Sequence, residues 1–101
     1  MAQKLGFTVV HQEAEREVTC VYCCDLLSVA MARAKQDGAW VTVIGNTNAV
    51  AVASLTDTAC LILAEGYSFD EATVKAAAGK ISLYKSAAPV FQTALAINGL
   101  L

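Results

Sequence analysis

WVTVIGNTNAVAVASLTDTACLILA, residues 40 to 64, decides the fold. It opens on WVTVI, Trp40 to Ile44, and closes on CLIL, Cys60 to Leu63, two runs with almost no polar alternation. Strands of that kind belong to a sheet covered on both faces by helices. Between them, GNTN (Gly45 to Asn48) reads as a turn, and Ala49 to Asp57 as a helix of small residues. Strand, helix and strand within 25 residues make a βαβ unit, with parallel strands and a right-handed crossover.

The same alternation extends in both directions. Upstream, Val18 to Cys24 reads as a strand. LLSVAMARAK then places Leu26, Leu27, Ala30, Met31 and Ala34 at helical spacing, with Asp25 as the expected N-cap and Gly38 as the stop signal. Downstream, Asp70 to Ala78 forms a helix capped by Ser68 or Asp70, Ile81 to Tyr84 a strand, and Ala88 to Ile97 a last helix with Pro89 in its first turn. Ala2 to Leu5 reads as a helical turn ended by Gly6, and Phe7 to Val10 as a further strand. Its connection to Val18 is polar and too short for a crossover helix, so this pair is expected to run antiparallel at an edge. The predicted fold is α/β: one domain over residues 1–101, three layers, with a mostly parallel five-stranded sheet flanked by helices.

The composition narrows function by exclusion. The chain is 56% apolar and 16% charged, with a net charge of −2. It lacks the basic footprint that binds phosphate backbones, so no nucleic-acid partner is expected. No apolar run reaches the roughly 18–20 residues of a membrane span. MAQKLGF does not continue into the apolar core of a signal peptide. A cytoplasmic location and no membrane partner are the expectation, with thiols kept reduced.

Three of the four cysteines cluster in TCVYCC, as Cys20, Cys23 and Cys24. Residues 18 to 24 contain no Gly, Pro, Asn or Asp to make the tight turn that a zinc knuckle needs. On a strand, Cys20 and Cys24 share a face about 13 Å apart, at ~3.3 Å per residue, and Cys23 faces the other way. The expectation is therefore buried packing, with no metal and no cofactor. Cys24 is the candidate for a reactive thiol, because it immediately precedes the expected helix start at Asp25.

A parallel sheet binds ligands outside the carboxyl ends of its strands. That edge gathers Asp25, Gly45, Asn46, Thr47, Asn48, Gly66 and Tyr67, with Glu65, Lys85 and Ser86 beside them. Gly45 to Asn48 has the placement of an anion-binding turn at a helix N-terminus, and equally that of an ordinary capped turn. Gly66 offers backbone access and Tyr67 a ring for stacking. The set contains no nucleophile with a base beside it in sequence, and the only His, His11, lies on another connection.

The run from Arg16 to Leu63, with CDLLSVAM (24–31) and NAVAVASL (48–55) in that order, followed by FDEATVKAA (69–77), resembles a small stand-alone DRTGG-domain protein over about residues 16 to 101. Such domains are similar to the non-catalytic N-terminal domain of HPr kinase/phosphorylase and to regulatory inserts of CBS-domain pyrophosphatases and long phosphotransacetylases. This chain has Thr19-Cys20-Val21 where family members carry Thr-Gly-Gly. The resemblance implies a regulatory or ligand-sensing α/β module, often dimeric, and no catalysis; the phosphate-binding loop of the kinase domain, G-x-x-x-x-G-K-[ST], is absent.

Three functions remain on these grounds. The main one is a non-enzymatic homodimeric module that senses a small phosphorylated or nucleotide-like ligand. The second is an adaptor docking on a larger enzyme without a ligand. The third is a thiol-redox protein using Cys24. The apolar content favours self-association, since a small domain buries only about 60–65% of its unfolded surface, with Val18 to Val21 and the last helix as the expected contact surfaces.

Overall fold

The computed structural model describes residues 2–101. They form ten elements in the order α1 (Ala2–Leu5), β1 (Thr8–His11), β2 (Cys20–Cys23), α2 (Leu27–Arg33), β3 (Gly38–Thr42), α3 (Thr47–Leu55), β4 (Cys60–Leu63), α4 (Glu71–Ala77), β5 (Ser82–Lys85) and α5 (Val90–Asn98). One five-stranded sheet has the order β1-β5-β4-β3-β2. The pairs β2–β3, β3–β4 and β4–β5 are parallel, and β1–β5 is antiparallel. The fold is α/β with a mostly parallel sheet, as the alternating pattern predicts.

Strand alternation splits the core into two layers. Trp40, Leu61 and Leu83 face α2, α3 and α4, where they meet Ala30, Ala49, Val50, Ala53 and Ala77. Ala39, Val41, Cys60, Ile62 and Tyr84 face α1 and α5, where they meet Ala2 and Ile97. WVTVI and CLIL are continuous in apolarity because each alternate residue is claimed by a different layer. The Ala-rich face of α3 lets that helix sit close to the large Trp40 and Leu61 side chains. Trp40 is fully buried, and its Nε1–H donates to the Cys24 carbonyl at 3.0 Å. That bond satisfies a polar group which would otherwise be costly to bury.

Several local expectations are corrected. β1 is an antiparallel edge strand, but its partner is β5, and β2 occupies the opposite edge. The connector from Gln12 to Thr19 is long enough for this. Eight extended residues reach about 26 Å, and four strand spacings amount to about 19 Å. It crosses the whole amino edge of the sheet. Asp25 does not cap α2: the cap position is Leu26, with no side-chain bond. The Asp25 carboxylate instead accepts from Thr42 Oγ1 at 2.7 Å and from Val43 N at 2.9 Å. Gly38 does not stop α2 but opens β3, and the left-handed residue in that turn is Asp37, φ 61°. A Cβ at Gly38 would lie 3.1 Å from the Lys35 carbonyl oxygen and 3.2 Å from Cys20 Sγ, so glycine is kept there for close approach. Pro89 is the cap residue of α5 and not part of its first turn. Of the two candidates for capping α4, Asp70 does so, accepting from Thr73 N at 2.7 Å.

Candidate functional site

The carboxyl edge lies at the ends of β2, β3, β4 and β5, and all seven sequence-predicted site residues fall on it. Most of their polar groups have internal partners. Asp25 ties the end of β2 to the end of β3. Asn46 Oδ1 accepts from Ala49 N at 3.0 Å and caps α3. Gly45 is a packing residue: a Cβ there would sit 2.8 Å from Leu63 Cδ2 and 3.4 Å from Phe69 Cδ1, and its carbonyl accepts from Thr73 Oγ1 at 3.3 Å. The Gly66 N–H donates to Ser86 O at 3.1 Å, which removes the backbone access expected of it. Glu65 Oε2 accepts from Val90 N at 2.7 Å and caps α5, while Lys85 Nζ donates to Ser68 Oγ at 2.8 Å. Thr47, Asn48 and Tyr67 remain exposed, with no side-chain hydrogen bond among the described residues.

All four cysteines are free. Cys24, on the same side of the sheet as Tyr22, packs against the α2–α4 layer. Its Sγ donates to the Leu26 carbonyl at 3.4 Å. Because α2 starts only at Leu27, Cys24 lies outside the helix N-terminus that made it the thiol candidate. Cys23 is exposed on the sheet edge; partial burial of its sulfur, and then Asp25, raise its pKa. Burial pushes the Cys60 thiol up to about 12. Among the described residues, no group of three or more His, Cys, Asp or Glu side chains comes together.

The amino edge is built differently. There the connector Gln12–Thr19 is pinned at both ends. Glu13 N donates to Ser82 Oγ at 2.8 Å, and Glu13 Oε2 accepts from Gly79 N at 2.9 Å and meets His11 Nε2 at 2.5 Å. The Gly79 amide and then His11 hold the Glu13 carboxyl below its ordinary range. At the other end the Arg16 guanidinium pairs with Asp37 and, at 3.1 Å, with Asp57, and it donates to Thr58 O at 3.3 Å. The Asp37 bond comes first in raising the guanidinium's pKa.

Between this connector, α1 and the end of α5 lies a cavity of about 310 Å³. Its apolar lining includes Val18, Cys60, Ile97, Leu100 and Leu101. Its rim carries Lys4, Glu15 and Glu17. Two hydroxyls at the base already have partners: Tyr84 OH donates to Gln12 Oε1 at 3.0 Å, and Ser82 Oγ accepts from Gln12 Nε2 and Glu13 N. As a sequence, HQEAERE (11–17) reads as a bare polar connection. One signal was available: four of the chain's sixteen charged residues fall in those seven positions, a density that marks the segment as different from the rest of a charge-poor chain. No protein-family model matches the chain, and no curated protein matches it.

Proposed function

We propose that this chain is a non-enzymatic, ligand-sensing α/β module that works as a homodimer, the role implied by its resemblance to DRTGG domains. The observation carrying the sensing reading is the amino-edge cavity of about 310 Å³. It falls within the size range of small-molecule pockets, roughly 300–1,000 Å³. Its lining offers a ligand contact surface without an activated nucleophile: Ser82 Oγ is engaged by the connector, and Cys60 is held neutral by burial. The small phosphorylated or nucleotide-like ligand expected at the carboxyl edge finds Thr47 and Asn48 there as uncommitted donors at the start of α3. Those two side chains are exposed, whereas the amino-edge cavity has walls from the connector, the sheet and α5, and on that ground it has the stronger claim on a ligand.

Self-association is supported by apolar side chains left in solvent. Phe91 is 69% and Leu95 56% exposed, one turn apart on α5, which packs over the edge strand β2 and over β3. The same pair supports the second reading, an adaptor that docks on a larger enzyme without a ligand.

Thermal shift against a metabolite library separates the two, since a ligand of the native state raises the melting temperature by mass action. A hit whose shift is lost in Ala14→Phe, at the exposed rim of the cavity, supports sensing at this site. No hit across the library supports the adaptor. Sedimentation at twice the monomer mass at tens of micromolar supports the dimer, and a monomer there overturns it.

A further inference from the structure

The cavity's rim carries both signs of charge in uncommitted form, and its lining does not. Lys4 comes from α1, and Glu15 and Glu17 come from the connector. None of the three has an ion pair or side-chain hydrogen bond among the described residues. Arg16, between the two glutamates, is occupied by Asp37 and Asp57. Deeper in, Cys60 and Ile97 are 3% and 0% exposed, and the neighbouring hydroxyls of Ser82 and Tyr84 are engaged by Gln12 and Glu13. The site thus combines an apolar lining with one ammonium and two carboxylates at its exposed mouth.

We infer that the cavity takes a small zwitterion with an apolar side chain, of the chemical class of a free apolar α-amino acid. This rests on the ligand-sensing reading and specifies its ligand. A phosphorylated ligand fits worse, because among the described residues at the rim the two free carboxylates outnumber the free Lys4 ammonium. A simple amine leaves Lys4 beside it as a like charge, and a simple carboxylate meets Glu15 and Glu17 in the same way. A zwitterion uses all three groups: its carboxylate pairs with Lys4, its ammonium with Glu15 and Glu17, and its side chain covers the accessible apolar lining, Val18, Leu100 and Leu101. The volume suits this class, being about ten times the ~30 Å³ share of one liquid water. The charged pairs lie at the mouth, where solvent screens them, so they select among ligands more than they hold them. The affinity comes mainly from the apolar side chain leaving water.

Titration of the full chain with three probes of one shape tests this. L-Phenylalanine carries both charges, phenethylamine lacks the carboxylate, and phenylpropanoate lacks the ammonium. L-Phenylalanine should bind about three- to tenfold more tightly than either, the range that one or two screened ion pairs give. Lys4→Gln should bring L-phenylalanine down to the level of phenethylamine without weakening phenethylamine. Glu15→Gln with Glu17→Gln should bring it down to the level of phenylpropanoate. All three positions are exposed, and an unchanged melting temperature confirms that the fold is kept. If phenylpropanoate or phenethylamine matches L-phenylalanine, or the variants leave the ratios unchanged, the zwitterion assignment is overturned while ligand sensing stands. If none of the probes and no member of the metabolite library binds, both are overturned.

Discussion

The two edges of this sheet treat their polar side chains in opposite ways. At the carboxyl edge Asp25, Asn46 and Glu65 close strand ends and helix starts. At the amino edge the connector's bonds are concentrated at Gln12, Glu13 and Arg16, and Glu15 and Glu17 are left free over a cavity. In a parallel sheet the carboxyl edge is the usual place for a ligand, but that rule presumes side chains with spare bonding capacity. Here four parallel strands end in short loops that use their own polar groups to start α3, α4 and α5. Spare capacity at the carboxyl edge is left to the exposed Thr47, Asn48 and Tyr67, whereas Glu15 and Glu17 keep theirs over a cavity, where the chain makes its one long crossing. Polarity alone is therefore a poor guide to a site; what matters is which polar groups the fold has not already used.

The comparison is tested most severely by Gly45. If this residue serves packing, Gly45→Ala should destabilise the protein by about 1–3 kcal/mol, the cost of overfilling a packed core. The new Cβ would press on Leu63, which is fully buried and has little room to move. Chemical denaturation measures this. A loss below about 0.5 kcal/mol would return Gly45 to the role of a turn left open for a ligand.

The amino edge comes next. Arg16→Met removes both ion pairs and the bond to Thr58 while keeping most of the apolar stem. A third of the Arg16 side chain is exposed, so the usual value of charged hydrogen bonds must be reduced for screening, to about 1–2 kcal/mol. Amide exchange should rise in residues 14–19 more than in any strand. Equal exchange in the connector and in β4 would mean that Arg16 does not pin the crossing.

The legible part of this protein was the part with period. WVTVI and CLIL announced a sheet covered on both faces because Trp40 to Thr42 and Cys60 to Leu63 are buried, although the strand runs from Gly38 to Thr42 and leaves Val43 and Ile44 half-buried beyond its end. The cysteine spacing placed Cys20 and Cys24 on one face for the same reason. The partner of β1 could not be read, since nothing in HQEAERE states how far an extended segment travels. Asp25 reads as a cap and is not one, because an Asp before a helix has two backbone targets, the first turn of that helix and the neighbouring strand end. Only the tertiary position of Thr42 and Val43 decides between them. The cavity was illegible because residues from α1, the connector, β4 and α5 meet only when the sheet order is known.

A smaller effect separates neighbours within GNTN. Asn46→Ala should cost about 1 kcal/mol, since it deletes the α3 cap. Thr47→Ala and Asn48→Ala, both exposed, should stay within about 0.5 kcal/mol. If Asn48→Ala costs as much as Asn46→Ala, Asn48 has a partner that the carboxyl-edge description omits. A ligand bound there would instead be weakened by Thr47→Ala and Asn48→Ala with stability unchanged.

The smallest expected effect concerns acid. Glu13 fastens the connector through the Gly79 amide and His11, and both lower its pKa in the folded state. A depressed carboxyl pKa means that the unfolded chain binds the proton more readily. Its contribution is therefore present above the ordinary value of 4.5 and is lost as the pH falls through the lower folded value. Protonation would also turn Glu13 Oε2 from a charged acceptor for Gly79 N–H into a weaker one. The site is exposed, so global stability should change little. The expected sign is local: below pH 4.5, amide exchange at Gly79, corrected for its intrinsic pH dependence, should rise relative to Ala49, whose cap is the uncharged Asn46. Glu13→Gln should show the faster Gly79 exchange already at neutral pH and lose the pH dependence. If Gly79 and Ala49 respond alike in the wild type, the Glu13 carboxylate is not what fastens this end of the connector, which then rests on the Glu13 N–H and Gln12 bonds to Ser82 and Tyr84.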